Sequence, residues 1–196
     1  MVDRKTFDLI KKKHGSYASW AVWADRSGRP KSGMGDLSVL NPDQNPTLLH
    51  KLRNDVVMVA LNVSRLLPLP MSLGNFHDPS SVAQDYKIRY AFAGTPYYGA
   101  YMTDLIKDVV MLESGNLMRH LGDNPSLVSR NVRRLLEEFE DLNCAAPTLI
   151  AFGTDAYRLA ARHVPSSRYS RLVKVTHYSH YISTEEYRRG VLAALA

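Results

Sequence analysis

The feature that most constrains this chain is "DVVMVAL", Asp55 to Leu61, a short run that is nearly all apolar and β-branched. A strand without alternating polar positions is buried on both faces, as in a parallel sheet covered by helices. Three further runs read the same way: "YYGAYMTDL" as a second strand, "PTLIAFG" as a third ended by Gly153, and "RLVKVTH" as a fourth. Helical segments stand between them. "PTLLHKLRN" precedes the first strand and "SSVAQDYKIRYAFAG" follows it. "NPSLVSRNVRRLLEEFEDL" is the clearest helix: Leu127, Val128, Val132, Leu135, Leu136 and Phe139 follow helical spacing, with Asn124 as cap before a first-turn proline, Pro125. "TDAYRLAARHV" is capped by Thr154 or Asp155, and "STEEYRRGVLAAL" closes the chain with Ser183 and Glu186 as a capping box. Strands alternating with helices predict an α/β protein with a four-stranded parallel sheet covered on both faces.

At 196 residues the chain is most simply one domain, 1–196, with an N-terminal helix and long loop over 1–46 and an α/β core over 47–196. Asp25 to Pro46, rich in Gly, Pro, Asn and Ser, follows too few residues to be an interdomain linker and reads as a functional surface loop. No apolar run approaches the roughly 18 residues of a membrane span. The opening "MVDRKTFDLIKKKHG" lacks the apolar core of a signal peptide, so a cytoplasmic, non-membrane protein is expected. The lone cysteine, Cys144, excludes an internal disulfide and most cysteine-based metal sites. A net charge of +6 and pI ≈ 9.4 suit a polyanionic partner.

In parallel α/β sheets, ligands bind at the carboxyl ends of the strands. Asn62, Ser64 and Arg65 follow the first strand. Thr103, Asp104 and Lys107 follow the second, and "THYSHY" follows the fourth. "FGTDAY" after the third looks structural, its Thr154 or Asp155 capping a helix. Polar groups from three ends should therefore converge on one cleft. His177 and His180 have the spacing of a metal pair, with Asp104 as a third ligand. However, they lie in a loop rather than on a helix, and no His-Glu-x-x-His or Cys-x-x-Cys accompanies them. No metal and no cofactor is expected. Phosphate-loop, dinucleotide and serine-elbow patterns are also absent.

Taken in order, these strand ends resemble the uracil-DNA glycosylase superfamily. "ALNVS" resembles the Gly-x-Asn-Pro motif of the mismatch-specific and single-strand-selective branches, with Asn62 at the Asn position. "YGAYMTDLIK" resembles the mismatch-specific Gly-x-Thr-Asp/Asn-Leu strand, and "PTLIAFGTDAYRLA" is similar to the third strand, glycine and helix. "HYSHY" resembles the closing His-Pro-Ser motif, with His177 and Ser179 in place. "MSLGNFHD" corresponds to the segment whose aromatic stacks on the extruded base, here Phe76. The resemblance covers roughly Asp55 to Ala196. Ala60, Val63 and Tyr178 depart from it, standing where those motifs carry glycine, proline and proline.

The resemblance implies a three-layer α/β/α sandwich around a four-stranded parallel sheet, and a monofunctional DNA N-glycosylase of base-excision repair, monomeric and free of cofactors. It would hydrolyse the N-glycosidic bond of a flipped uracil or other deaminated or modified base. His177 would stabilise the departing base and Asn62 would orient water. Phe76, Asn75 and Asp104 would hold the base. Asp104, as an acceptor, would admit bases with an exocyclic amino group. Ser64, Arg65 and Ser179 would touch flanking phosphates, while His180 and Tyr181 would enter the duplex. The alternatives are a catalytically inactive nucleic-acid-binding protein of the same fold, and a small α/β hydrolase acting on nucleosides or nucleotides.

Overall fold

The computed structural model describes residues 2–63 and 71–196. The elements run α1 (Arg4–His14), β1 (Ser19–Trp20), α2 (Leu48–Lys51), β2 (Arg53–Asn62), α3 (Asp85–Phe92), β3 (Ala100–Ile106), α4 (Ser114–Asp123), α5 (Pro125–Asp141), β4 (Thr148–Phe152), α6 (Thr154–His163), β5 (Arg171–Val175) and α7 (Thr184–Leu195). The sheet has five strands in the order β1-β3-β2-β4-β5. The expected four-stranded parallel sheet is thereby corrected. Strands β2 to β5 run parallel, but β1 pairs antiparallel with β3, and the sheet is mixed. Ser19 and Trp20 are too few to announce a strand by pattern. They are held by the edge of β3 and by Ser19, whose Oγ donates to the Leu73 carbonyl at 2.6 Å.

Strand β2 explains the layering. Successive side chains of a strand point to opposite faces. Val57, Val59 and Leu61 pack with residues of α1, α4, α5 and α6, while Val56, Met58 and Ala60 pack with residues of α3 and α7. Two apolar layers thus sandwich the sheet, as the unbroken run requires.

Several elements differ from their sequence signals at the ends. The helix read into "SSVAQDYKIRYAFAG" contracts to Asp85–Phe92. The one read into "PTLLHKLRN" contracts to Leu48–Lys51, because Arg53 and Asn54 are already in β2. The turn before β3 needs Gly99: at its φ of +83° a Cβ would lie 1.9 Å from the Lys51 carbonyl oxygen. Helix α4, absent from the sequence-based expectation, lies ahead of α5 and buries Leu117 and Leu121 at helical spacing. Ser183 caps α7 by accepting from the Glu186 N–H, as its sequence predicts. Asn124 precedes Pro125 as predicted, but its side chain turns back to donate to the His120 carbonyl.

The topology fixes where a ligand can enter. From β2 the chain passes through α3 to β3 on one side, and then crosses back to β4 on the other. The helices leaving β2 and β4, α3 and α6, therefore lie on opposite faces of the sheet. A crevice must open between the carboxyl ends of these two strands, the switch point of an α/β sheet.

Candidate functional site

A cavity of about 1040 Å3 occupies that crevice. Asn62 lines it from the end of β2, Gly153 to Ala156 from the end of β4, and His177 to Ser179 from the end of β5. Gly74 to Pro79 and Val82 to Asp85 form the wall that leads into α3, and Gly35 and Leu37 reach it from the long N-terminal loop.

His177 is its best-defined chemical group. The ring is half-buried and lies 4.3 Å from the Tyr178 ring at 23°, a stacked contact. Its Nδ1 faces both the Ser179 backbone N–H at 3.2 Å and the Ser179 Oγ at 2.8 Å. An amide N–H can only donate, so Nδ1 is the acceptor and the neutral ring carries its proton on Nε2. Burial pushes the imidazole down to about 4, so the ring is neutral at physiological pH. The Cβ that any other residue would carry at position 153 would lie 3.3 Å from the His177 Cβ. Gly153, at φ +89°, is also the N-cap of α6, with no side-chain cap. The expectation that Thr154 or Asp155 caps this helix, and that this strand end is only structural, is thereby corrected: Gly153, Thr154 and Asp155 all line the cavity.

Asn62 is anchored by its amide nitrogen, which reaches the carbonyls of Val63, Val109 and Met111 at 3.1, 3.3 and 2.9 Å. What the side chain can offer a ligand is its oxygen, an acceptor. Phe76 is buried at φ +62°, a region that non-glycine residues seldom occupy. Its backbone is held from both ends: its N–H donates to the Asn75 Oδ1 at 3.1 Å and its carbonyl accepts from the Trp23 indole at 3.0 Å. The ring meets Tyr178 edge-on at 6.4 Å, and Tyr178 in turn meets Phe152 at 5.4 Å. Tyr178 thus joins the imidazole to the aromatic floor.

Asn75 and Asp104 act behind the wall. Asn75 lines the cavity, but its Nδ2 is spent on the Tyr17 carbonyl and Asp104 Oδ2, both at 2.7 Å. Asp104 lies within β3 rather than beyond it, is buried, and is not part of the cavity lining. Desolvation raises its carboxyl to about 7, partly opposed by the Asn75 hydrogen bond and by Lys107. Thr103 is likewise inside the strand, and Lys107 pairs with Glu138 at 2.8 Å in the core. The second strand end is therefore not a third polar contributor, because β3 continues through Ile106 before its polar residues can reach solvent.

Ser179 lines the cavity and holds His177. His180 and Tyr181 are exposed, outside the lining, and Tyr181 is fully in solvent. Their loop is tied down by Lys87 of α3, whose Nζ donates to the carbonyls of His180 and Ile182 at 2.9 and 3.0 Å. Ser64 and Arg65 lie outside the described residues. Sequence reasoning passed over Trp23, Asp78 and Asp85. Asp85 accepts from the Asp78 N–H at 2.9 Å, and both carboxylates are on the wall. Only the flanking "HDP" hinted at a turn here, and nothing hinted at Trp23.

Among the described residues, no group of three or more His, Cys, Asp or Glu side chains is placed to hold a metal ion, and no helix is long and apolar enough to cross a membrane. Comparison with protein families, with curated proteins and with solved structures found no match for the chain.

Proposed function

We propose that this protein is a DNA N-glycosylase that hydrolyses the bond between deoxyribose and a flipped, deaminated or otherwise modified base. The observation that carries the reading is the neutral His177, whose Nδ1 accepts from the Ser179 N–H and whose Nε2–H is left as a donor on a cavity beside Asn62 and Phe76. In this reaction water adds to the sugar C1′, the glycosidic bond breaks, and its electron pair departs with the base. A pre-oriented donor is most valuable where that negative charge develops, typically worth about 3 kcal/mol. A neutral imidazole supplies it without first having to lose a proton to the active site. The Asn62 oxygen would orient the water, whose proton passes to solvent because an amide is no base. The Phe76 ring would stack on the base, and the exposed Tyr181 would take the space that the base vacates.

Asp104 has no direct part in recognising the base, since Asn75 stands between that carboxyl and the cavity. In this scheme Asp104 positions Asn75, Asn75 positions Phe76, and base identity is left to the wall.

The test is base release from oligonucleotides carrying uracil, hypoxanthine, xanthine or a modified cytosine, single- and double-stranded. Release from at least one is expected, with a large loss in His177→Ala. DNA binding without release from any of them would establish the non-catalytic nucleic-acid-binding alternative. Cleavage confined to free nucleosides would establish the small-hydrolase alternative.

A further inference from the structure

Beyond the first cavity, α3 forms part of a second cleft, of about 570 Å3. Four aromatic residues line it, Trp23, Tyr86, Tyr90 and Tyr98, together with Arg26 and Arg89. Arg89 is buried to within 8% of its surface, yet its guanidinium meets carbonyls rather than a carboxylate. Its Nη1 donates to Ala24 and Ser32 at 3.0 and 2.8 Å and its Nη2 to Pro30 at 2.6 Å. A guanidinium has five N–H donors. Three are used here, leaving Nε–H and one Nη2 hydrogen without an acceptor among the described residues. A buried cation is stable only when it is compensated. Here desolvation and the neighbouring Arg26 work against the charge, and Tyr98 and Asp25 offset them only in part. Asp25 and Glu185 also border the cleft, but among the described residues neither forms an ion pair with either arginine.

Two guanidinium groups with no carboxylate in direct contact among the described residues, set among flat aromatic rings, suit a ligand with two parts: a phosphate and a planar base. We infer that this cleft binds a nucleotide unit, its phosphate on Arg26 and Arg89 and its base against the tyrosine and tryptophan rings. Base–aromatic stacking with arginine support is the usual means of holding unpaired nucleotides, and the volume lies within the range of small-molecule sites. A free nucleotide and a nucleotide within single-stranded DNA present the same chemistry. The eight residues of α3 span about 12 Å. Asp85 borders the first cavity while Tyr86, Arg89 and Tyr90 border the second, so one strand could reach both. The inference stands on this cleft alone and does not require the glycosylase reading.

The chain has two tryptophans, and Trp20→Phe leaves Trp23 as the sole tryptophan, read by selective excitation beyond the tyrosine band. Deoxyadenosine 5′-monophosphate and an undamaged single-stranded hexanucleotide would be titrated against that protein. Anisotropy with a labelled hexanucleotide and unsubstituted tryptophans would serve as the parallel measurement. Saturable quenching is expected, weakened tenfold or more by Tyr90→Ala and by Arg26→Glu, both solvent-accessible positions, with circular dichroism confirming the fold. Equal affinity for the two probes identifies a free nucleotide as ligand, and preference for the hexanucleotide identifies a strand. Absence of binding, or binding indifferent to both substitutions, overturns the inference. Nucleotide binding by a protein that releases no base would leave this site standing and remove the glycosylase reading. Base release without Tyr90- and Arg26-sensitive binding would do the reverse.

Discussion

Two polar clusters flank the sheet, and they use similar residues to opposite ends. Between β3, α1 and α5, Lys107 pairs with Glu138 at 2.8 Å, and Glu138 accepts from the Tyr101 hydroxyl at 2.8 Å. His14 there bridges the Tyr17 hydroxyl at 2.7 Å and Asp141 at 2.8 Å. In this cluster a charge or dipole is met by its complement inside a closed core, with Lys107 and Glu138 fully buried. At the switch point the His177 ring forms hydrogen bonds, among the described residues, with Ser179 alone and stacks on one aromatic ring, and its remaining donor belongs to a cavity wall. A satisfied buried network specifies structure. A desolvated group with spare hydrogen-bonding capacity on a cavity is where chemistry is possible. The contrast separates two histidines, His14 and His177, that are equivalent as letters in the sequence.

The contrast is broken most forcefully at Glu138. Glu138→Ala leaves Lys107 as an uncompensated buried charge and should lower unfolding free energy by about 3–5 kcal/mol in urea titration. Replacing both partners, Lys107→Met with Glu138→Leu, should recover most of that loss. If the single substitution is harmless, the cluster is not structural.

Asp104 tests the boundary between the two regions through pH. Its carboxyl loses its proton near 3.8 in the unfolded chain and near 7 in the folded one. Between those values the folded state holds more protons, so stability falls as pH rises, by at most about 4 kcal/mol above pH 7. Asp104→Asn should remove this alkaline-side penalty while keeping an acceptor for Asn75. His177 and the buried His77, both pushed down to about 4 from 6.5, act with the opposite sign. There the unfolded chain binds more protons, so their contribution is lost as pH falls from 6.5 toward 4. Denaturation midpoints at pH 5 and pH 8, for wild type and Asp104→Asn, separate the two: an unchanged difference between pH values would exclude Asp104 as the source.

His177→Ala should lower base release about a hundredfold, near 3 kcal/mol, with little change in the urea midpoint because the ring is only half-buried. A comparable loss of stability would make His177 a member of the structural class instead. The smallest effect is expected at Gly153. Gly153→Ala places a Cβ at φ +89° and 3.3 Å from His177, costing about 1–2 kcal/mol in stability while displacing the imidazole. Activity should therefore drop more than the stability change alone explains.

Much of the fold was legible because its signals are local. The unbroken apolar run of β2, the periodicity of α5 and the Ser183 cap of α7 each follow from a few adjacent side chains. The edge strand β1 was not, because two residues carry no period and their pairing is with β3, some 80 positions away. At the site, Asn62, Phe76, Asn75, His177 and Ser179 were legible as strand-end or loop polar and aromatic residues, and all five line the cavity. Asp104 was misplaced by its position near a strand end. Whether a side chain faces a ligand or a neighbour depends on where the strand stops, and β3 runs two residues past it.

By itself the sequence determined an α/β chain with a parallel core and polar groups gathered at the ends of its strands, since alternation, capping and apolar runs are properties of neighbouring residues. Only the tertiary structure decided which of those groups share a cavity. It set the reversal of strand order beside β2, the Ser179 hydrogen bond that leaves the His177 proton on Nε2, and the aromatic cleft that joins Trp23 to α3. These are long-range juxtapositions, created when distant segments are brought together by burial of the two apolar layers.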